Sequence, residues 1–212
     1  MKASWHTAFA GLALVVTVLT ACASIGPASE PAATASASAR ELAEGVHAAG
    51  TYTYSQFEPQ IEVTLPDNQW TTFHLIPDFF DVALETEAGP VAVMFLDPIA
   101  FLTADEEVAE AATPEEAMRL LGHHDGTTLS EPRPVEVGGL SGLEVDADFE
   151  FDNTHVIRVS GGDIGFGPTS DVRLAVLEAD EGLLVIGLTA PAGQMAEADE
   201  LTQTVRDSIQ ID

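Results

Sequence analysis

One stretch of alternating apolar and acidic residues constrains the fold more than any other feature of the chain. It runs LEVDADFEFD over residues 143–152, and its apolar members after Leu143 are Val145, Ala147, Phe149 and Phe151. Successive side chains of a strand point to opposite faces, so the pattern predicts a half-buried strand with one apolar face and one acidic face. On the acidic face, every second carboxylate lies about 6.5–7 Å from the next, which is too wide for neighbours to chelate one cation tightly. We expect a solvated face, with weak cation association as the alternative, for Asp146, Asp148, Glu150 and Asp152.

Further β-branched and aromatic runs, bounded by turn residues, predict a strand-rich domain. The run Val91–Leu96 is continuously apolar, as in a central strand. Val172–Leu177 and Leu183–Leu188 form a hairpin pattern across Asp180-Glu181-Gly182. The other predicted strands are Thr51–Phe57, Gln60–Leu65, Trp70–Ile76, Phe79–Glu85, Pro134–Val137 and Val156–Val159.

Two helices complete the predicted set of elements. Thr113 and Glu116 form a capping box around Pro114, which suits the first helical position, and Gly122 suits a left-handed residue that ends the helix. The second helix lies near the C-terminus, with apolar residues at helical spacing from Met195 onwards. The sequence therefore predicts an α+β fold, a twisted antiparallel β-sheet flanked by helices.

The N-terminus predicts export and lipid attachment. Lys2 precedes an uncharged apolar stretch from Ala8 to Val18, which is too short to span a bilayer, since a span needs about 20 apolar residues. The residues that follow match a bacterial lipobox: Leu19, Thr20, Ala21 and Cys22. We predict a lipoprotein signal peptide over residues 1–21 and lipidation of Cys22. The alternative is an ordinary signal peptide followed by an incidental thiol.

The lipobox has consequences for the mature chain. Cys22 is the only cysteine, so no disulfide can form within the chain and stability must come from a hydrophobic core. Residues 22–45 are rich in Ala, Ser and Pro and predict a flexible tether, whereas 46–212 predict one α+β globular domain. The expected location is the extracytoplasmic face of the cell membrane, with the lipid at Cys22 as anchor.

The charge balance excludes some classes of partner. The chain has 35 acidic and 7 basic residues, a net charge of −28, which becomes −29 once Lys2 is removed. A surface this acidic argues against nucleic-acid binding and against a basic patch for anionic lipid. High solubility is the favoured explanation, and divalent-cation binding is the alternative.

Two short motifs resemble functional sites. GHHDG offers His123, His124 and Asp125 as candidate metal ligands, but adjacent residues rarely converge on one ion, so a post-helix loop is favoured. GLSGL, at 139–143, resembles a nucleophile elbow around Ser141, but it lies between two strands, where an elbow requires a strand-to-helix turn. The glycine-rich stretch 161–168 predicts a flexible loop. We predict no cofactor and no metal.

Three segments resemble the PsbP-like fold group, which includes the LpqN-type lipoproteins of actinobacteria. They are GTYTYSQFEPQIEVTLPDNQW near the start, PVEVGGLSGLEVD at Pro134–Asp146, and LLVIGLTAPAGQMAEADELTQTVRDSIQI at the end. The likeness covers roughly residues 50 to 211. It implies an αβα sandwich around an antiparallel sheet and a non-enzymatic accessory or binding role.

We therefore expect a non-catalytic binding or accessory module of the cell envelope. Its expected partners are the membrane, through Cys22, and an envelope protein or small ligand, with no nucleic acid. One alternative is an envelope hydrolase with a site assembled from distant loops. The other is a divalent-cation-binding surface protein.

Overall fold

The computed structural model describes residues 38–103, 105 and 107–212. The predicted signal peptide, Cys22 and the predicted tether up to residue 37 lie outside the described residues. The helices are α1 (Pro114–Leu121) and α2 (Met195–Asp207). The strands of the described residues are β1 (Arg40–Glu41), β2 (Gly45–Val46), β3 (Gly50–Thr53), β4 (Ile61–Leu65), β5 (Trp70–Thr72), β6 (Leu75–Ile76), β7 (Phe79–Thr86), β8 (Gly89–Leu96), β9 (Ala100–Leu102), β10 (Val108–Ala109), β11 (Thr127–Leu129), β12 (Arg133–Val137), β13 (Leu140–Phe149), β14 (Thr154–Val159), β15 (Gly162–Phe166), β16 (Ser170–Ala179), β17 (Gly182–Pro191) and β18 (Gln210–Ile211).

A ten-stranded antiparallel sheet forms the centre of the domain. Its order is β11-β13-β16-β17-β8-β7-β5-β2, with β12 also paired to β13 and β6 to β7. The predicted central strand β8 lies between β17 and β7, and the predicted hairpin is β16–β17, in register from Ser170↔Pro191 to Ala179↔Gly182. The central residues of both strands, 174–177 and 183–188, are buried, as expected of a sheet covered on two faces.

Each face of the central sheet has its own hydrophobic core. One core contains α2 residues Ala198 and Val205 together with the small sheet β1-β3-β4-β18. The other contains the apolar face of α1 and the sheet β10-β9-β14-β15. The predicted α+β class is confirmed at this level, as a largely β structure with its two described helices on opposite faces. Its outer layers contain more strand than an αβα sandwich requires.

The start of α1 follows the predicted cap, but its end does not. The amide of Glu116 donates to Thr113 Oγ1 at 3.3 Å, and the Glu116 carboxylate accepts from Ala112 N at 2.8 Å. Gly122 has φ −76°, a right-handed conformation, so the prediction of a left-handed terminator is wrong. The positive φ of +72° falls at Gly126 instead, where the chain turns into β11.

Ordered structure begins upstream of the boundary predicted at residue 46. Strand β1 pairs in parallel with β3, and Leu42 is buried in the core beside α2. Residues 40–45, which we assigned to the tether, therefore pack with the domain. The physical reason is that a single large apolar side chain, Leu42, finds a place in the core even though its neighbours are small or charged.

Two other local predictions are also corrected. The glycine-rich stretch is not a loop, because residues 162–166 form β15 and pair with β14. Phe151 does not join the apolar face of its strand: β13 ends at Phe149, and the Phe151 side chain is exposed. In both places hydrogen bonding to a neighbouring strand decides the boundary, and alternation within the segment cannot reveal it.

Candidate functional site

Three of the chain's arginines gather with three carboxylates where the sheet meets α2. Arg173 is the centre: its Nε donates to Asp146 Oδ1 at 2.6 Å, and its Nη1 donates to both oxygens of Asp199 at 2.6 and 2.7 Å. Arg133 contacts Asp146 at 2.9 Å and Glu144 at 2.8 Å. Arg206 contacts Asp199 at 2.6 Å. We call this set the arginine–carboxylate network: Arg133, Arg173, Arg206, Glu144, Asp146 and Asp199.

Sheet register and helical spacing bring the network together. Asp146 on β13 lies directly opposite Arg173 on β16, and Arg133 on β12 lies opposite Glu144 on β13. Asp199 and Arg206 are seven residues apart on α2, two helical turns, so both face the sheet. The network joins three neighbouring strands to the helix, and its formal charges cancel.

Contacts within the network shift the pKa values of Asp146 and Arg173. Burial alone raises the pKa of Asp146, but the hydrogen bonds from Arg133 and Arg173 outweigh burial, so its pKa lies below the ordinary value of 3.8. Burial lowers the pKa of Arg173, yet its hydrogen bonds to Asp199 and Asp146 outweigh burial and raise the pKa overall. These groups therefore stay charged throughout the physiological pH range.

A cleft of about 420 Å³ opens beside the network, between the sheet and the end of α2. Apolar and charged side chains contribute to its lining in similar measure. The apolar lining comes from Val93, Val135, Val137, Ala175, Ile186, Leu188 and Ile209. The charged lining comes from Arg173, Arg206, Glu136, Glu144 and Asp207.

A second cleft, of about 380 Å³, lies on the other side of Arg173 near the start of α2. Asp171 lies in its wall, and its carboxylate accepts from the amides of Gly193 and Met195 at 2.8 and 3.2 Å. Such bonds stabilise a helix start that has no side-chain cap of its own, as here at Gln194. Asp171 is therefore occupied in holding α2.

The first cleft keeps unused hydrogen-bonding groups. Within the described residues, the Nε and Nη2 of Arg206 have no partner, and neither do the carboxylates of Glu136 and Asp207. The network is electrically neutral, so the two carboxylates make the lining net negative. This arrangement can hold a compact molecule with an apolar body and a neutral or cationic polar group.

The structure places the three candidate metal ligands of the GHHDG motif in different environments. His124 is buried, and its Nε2 lies 2.7 Å from the carbonyl oxygen of Leu102, so the ring ties the end of α1 to β9. His123 and Asp125 are exposed. No group of three or more His, Cys, Asp or Glu side chains is arranged to hold a metal ion anywhere in the described part of the chain.

Two further histidines, His74 and His155, lie elsewhere in the fold. His74 Nδ1 contacts Asp81 Oδ2 at 2.6 Å, while Asp81 Oδ1 accepts from the amides of Phe73 and His74. His155 is on β14, opposite Gly165. Neither is brought to the GHHDG turn by the strand pairing.

Ser141 lies within β13, in register with Glu136, directly after the hairpin turn at Gly138 and Gly139. The strand-to-helix turn of a nucleophile elbow is absent at this position. Of the predicted acidic face, Asp148, Glu150 and Asp152 are exposed, as expected. Asp146 departs from the expectation, because it is half-buried and bonded to two arginines.

Sequence reasoning missed the network and the cleft, although one signal was present. Arg173 interrupts the apolar strand VRLAVL, and a charged side chain in a covered sheet needs a partner. The spacing of Asp199 and Arg206 on one helical face was a second sign. Which carboxylates would meet Arg173 depends on strand register, which the sequence does not display.

No family model and no curated protein matches this chain. Solved structures do resemble it at low identity. A solution structure of cyanobacterial PsbP (CyanoP) from Synechocystis sp. PCC 6803 aligns with 81% of this chain and 98% of its own, at 14% identity and a TM-score of 0.43. LpqN of Mycobacterium tuberculosis, described as involved in cell envelope biogenesis, aligns with 77% of this chain and 84% of its own, at 12% identity and a TM-score of 0.38.

A Pseudomonas aeruginosa protein of unknown function gives a similar result, with 76% of this chain and 96% of that one aligned, 13% identity and a TM-score of 0.37. Among the described residues, no helix combines the length and the hydrophobicity that crossing a bilayer requires.

Proposed function

We propose that this protein is a lipid-anchored, extracytoplasmic binding module of the cell envelope, non-catalytic and of PsbP-like αβα type. The anchor rests on the lipobox that ends at Cys22 and on the Ala/Ser/Pro-rich segment after it. The binding role rests on one observation, the cleft of about 420 Å³, which is lined by both apolar and charged side chains and keeps unused polar groups. Clefts of this size and lining accept small organic ligands.

The chemistry of the cleft defines the ligand class. The apolar side chains of the lining favour a hydrocarbon or aromatic body, since burying apolar area stabilises a complex by about 25 cal/mol per Å² before the costs of association. The Nε and Nη1 groups of Arg173 already donate to Asp146 and Asp199, whereas the carboxylates of Glu136 and Asp207 stay available to a ligand. A neutral or cationic polar group suits this lining better than an anionic one.

The anchor and the cleft have separate tests. In the producing cell, Cys22→Ala is expected to abolish incorporation of labelled lipid, and unchanged incorporation would refute the anchor. For the cleft we choose phenylnaphthylamine, a neutral fluorescent probe with an apolar body. Val135→Trp narrows the cleft and is expected to weaken probe binding by about tenfold, which corresponds to about 1.4 kcal/mol.

The matched control is Val108→Trp, because Val108 is exposed on β10, outside the cleft. Binding to this variant is expected to equal that of the unmodified protein. Equal binding to a folded Val135→Trp protein would show that the cleft is not the site. A double variant, Glu136→Gln with Asp207→Asn, tests how the negative charge at the cleft affects ligand binding. Its matched control is the double variant Glu178→Gln with Asp180→Asn, because these two residues lie outside the cleft.

A further inference from the structure

Two large apolar side chains stand exposed together at one edge of the central sheet. Val46 is 73% exposed and Phe73 is 49% exposed. Val46 on β2 lies directly opposite Thr71 on β5, and Phe73 comes immediately after the end of β5, so the paired ends of these two strands carry both exposed side chains. We call Val46 and Phe73 the edge patch.

The backbone that presents the edge patch is held firmly. The amide of His47 donates to the Trp70 carbonyl at 2.8 Å, and the buried His47 ring contacts Thr72 Oγ1 at 2.9 Å. The amide of Phe73 donates to the buried Asp81 carboxylate at 2.8 Å. The two side chains therefore protrude from a fixed edge, with their neighbours in the chain anchored in the fold.

The patch lies where the domain meets the chain leading back to Cys22. Arg40, at the start of β1, comes 18 positions after Cys22. With the proposed lipid at Cys22, this short separation along the chain keeps this end of the domain near the bilayer, at a high effective concentration.

We propose that Val46 and Phe73 form a membrane-docking patch that inserts into the interfacial region of the bilayer to which Cys22 attaches the chain. The inference rests on the proposed anchor. A lipid surface is the occupant that fits, because two protruding side chains offer no groove for a partner protein, and a bilayer accepts them without shape complementarity. Attachment is apolar and is opposed by the net negative charge, so on anionic lipid it strengthens with salt.

The test uses the mature chain from Cys22, with its single cysteine coupled to a maleimide lipid in vesicles. This coupling makes the test independent of whether the cell acylates Cys22, which the labelled-lipid experiment decides. Phe73→Trp supplies a reporter at the patch, and Val46→Trp supplies a second one should the first variant not fold. Phe151→Trp is the matched control, because Phe151 is 55% exposed and lies outside the patch.

On phosphatidylcholine vesicles, the fluorescence of the Phe73→Trp variant is expected to shift to shorter wavelength and to be quenched by brominated lipid, with no change in the Phe151→Trp variant. Adding Val46→Asp is expected to abolish the shift. On phosphatidylglycerol vesicles the shift is expected to grow with salt. An unchanged spectrum of the Phe73→Trp variant, or equal shifts in both variants, overturns the proposal. A shift to shorter wavelength in the absence of vesicles also overturns the proposal. Such a shift would indicate that the chain's own N-terminal segment or a second copy of the protein covers the edge patch.

Discussion

Arg173 on the sheet and Asp199 on α2 form a two-oxygen ion pair, with Nη1 2.6 and 2.7 Å from the carboxylate oxygens. Asp199 also binds Arg206, and Arg173 also binds Asp146, so the pair links the helix to the sheet through shared partners. The Arg173 side chain is only 16% exposed. Its removal therefore affects both the cleft wall and the attachment of α2.

We expect Arg173→Met to destabilise the domain by about 2 kcal/mol, because Asp146 and Asp199 lose a largely buried counter-charge while each keeps one other arginine. Urea denaturation measures the change. The control is Arg119→Met, at an exposed position of α1, where a change of less than about 0.5 kcal/mol is expected. Equal stability of the two variants would show that the network contributes little.

The lowered pKa of Asp146 predicts that the domain loses stability in acid. Its folded pKa is lowered below 3.8, since hydrogen bonds from Arg133 and Arg173 outweigh the opposing effect of burial. A lowered folded pKa gives stability that is present above the unfolded pKa and is lost as pH falls through the folded pKa. The stability difference between the natural chain and Asp146→Asn is expected to be largest near neutral pH and to shrink below about pH 3.8. A difference independent of pH would contradict this expectation.

The lowered pKa of the buried His47 ring predicts that the domain loses stability at mildly acid pH. Burial, with a smaller effect of Arg40, lowers its folded pKa below 6.5, so the ring is neutral in the fold. The unfolded chain then binds more protons, and stability falls as pH drops below 6.5 towards the lowered value. His47→Gln, which keeps a partner for Thr72 Oγ1, is expected to remove this part of the pH dependence. Melting temperatures about one pH unit above and below 6.5 measure it.

The control for His47 is His123→Gln, at an exposed position whose side chain makes no hydrogen bond among the described residues. This variant is expected to keep the pH dependence of the unmodified protein. A matching loss in both variants would assign the effect to histidine content and not to burial of His47.

The close approach of two strands at Gly142 leaves no room for a side chain at this position of the central sheet. A Cβ at this position would overlap the Val176 carbonyl oxygen and lie 2.8 Å from the Cα of Leu177, on the strand that pairs with β13. Gly142→Ala is expected to cost about 2–3 kcal/mol, since backbone atoms must separate to admit the methyl group. The control is Gly167→Ala, where the nearest atoms lie at 3.4 Å. Urea denaturation of both variants tests it, and equal stabilities would contradict the expected clash.

Local patterns were sufficient for much of the fold. The capping residues of α1 and the apolar spacing of α2 predicted both helices, and alternation predicted β13 and the hairpin β16–β17. These elements depend on neighbours within a few residues, which the sequence displays directly. The prediction of a glycine-rich loop at 161–168 failed because β15 is stabilised by hydrogen bonds to β14.

The candidate site was less predictable. Single residues such as Arg173 signalled a buried charge, but Glu144, Asp146 and Asp199 become its neighbours only through the register of β12, β13 and β16 and the docking of α2. The edge patch is a similar case, because Val46 and Phe73 are 27 positions apart in the chain. Both surfaces arise from pairings between distant segments.

The sequence by itself determined the strand and helix periodicities, the acidic charge, the absence of intrachain disulfides and the lipobox prediction at Cys22. Tertiary structure alone decided which side chains meet: the arginine–carboxylate network, the cleft beside it and the paired exposure of Val46 and Phe73. The physical reason is that periodicity is a property of one segment, whereas a site depends on the register between segments. A shift of one residue moves every side chain of a strand to the opposite face.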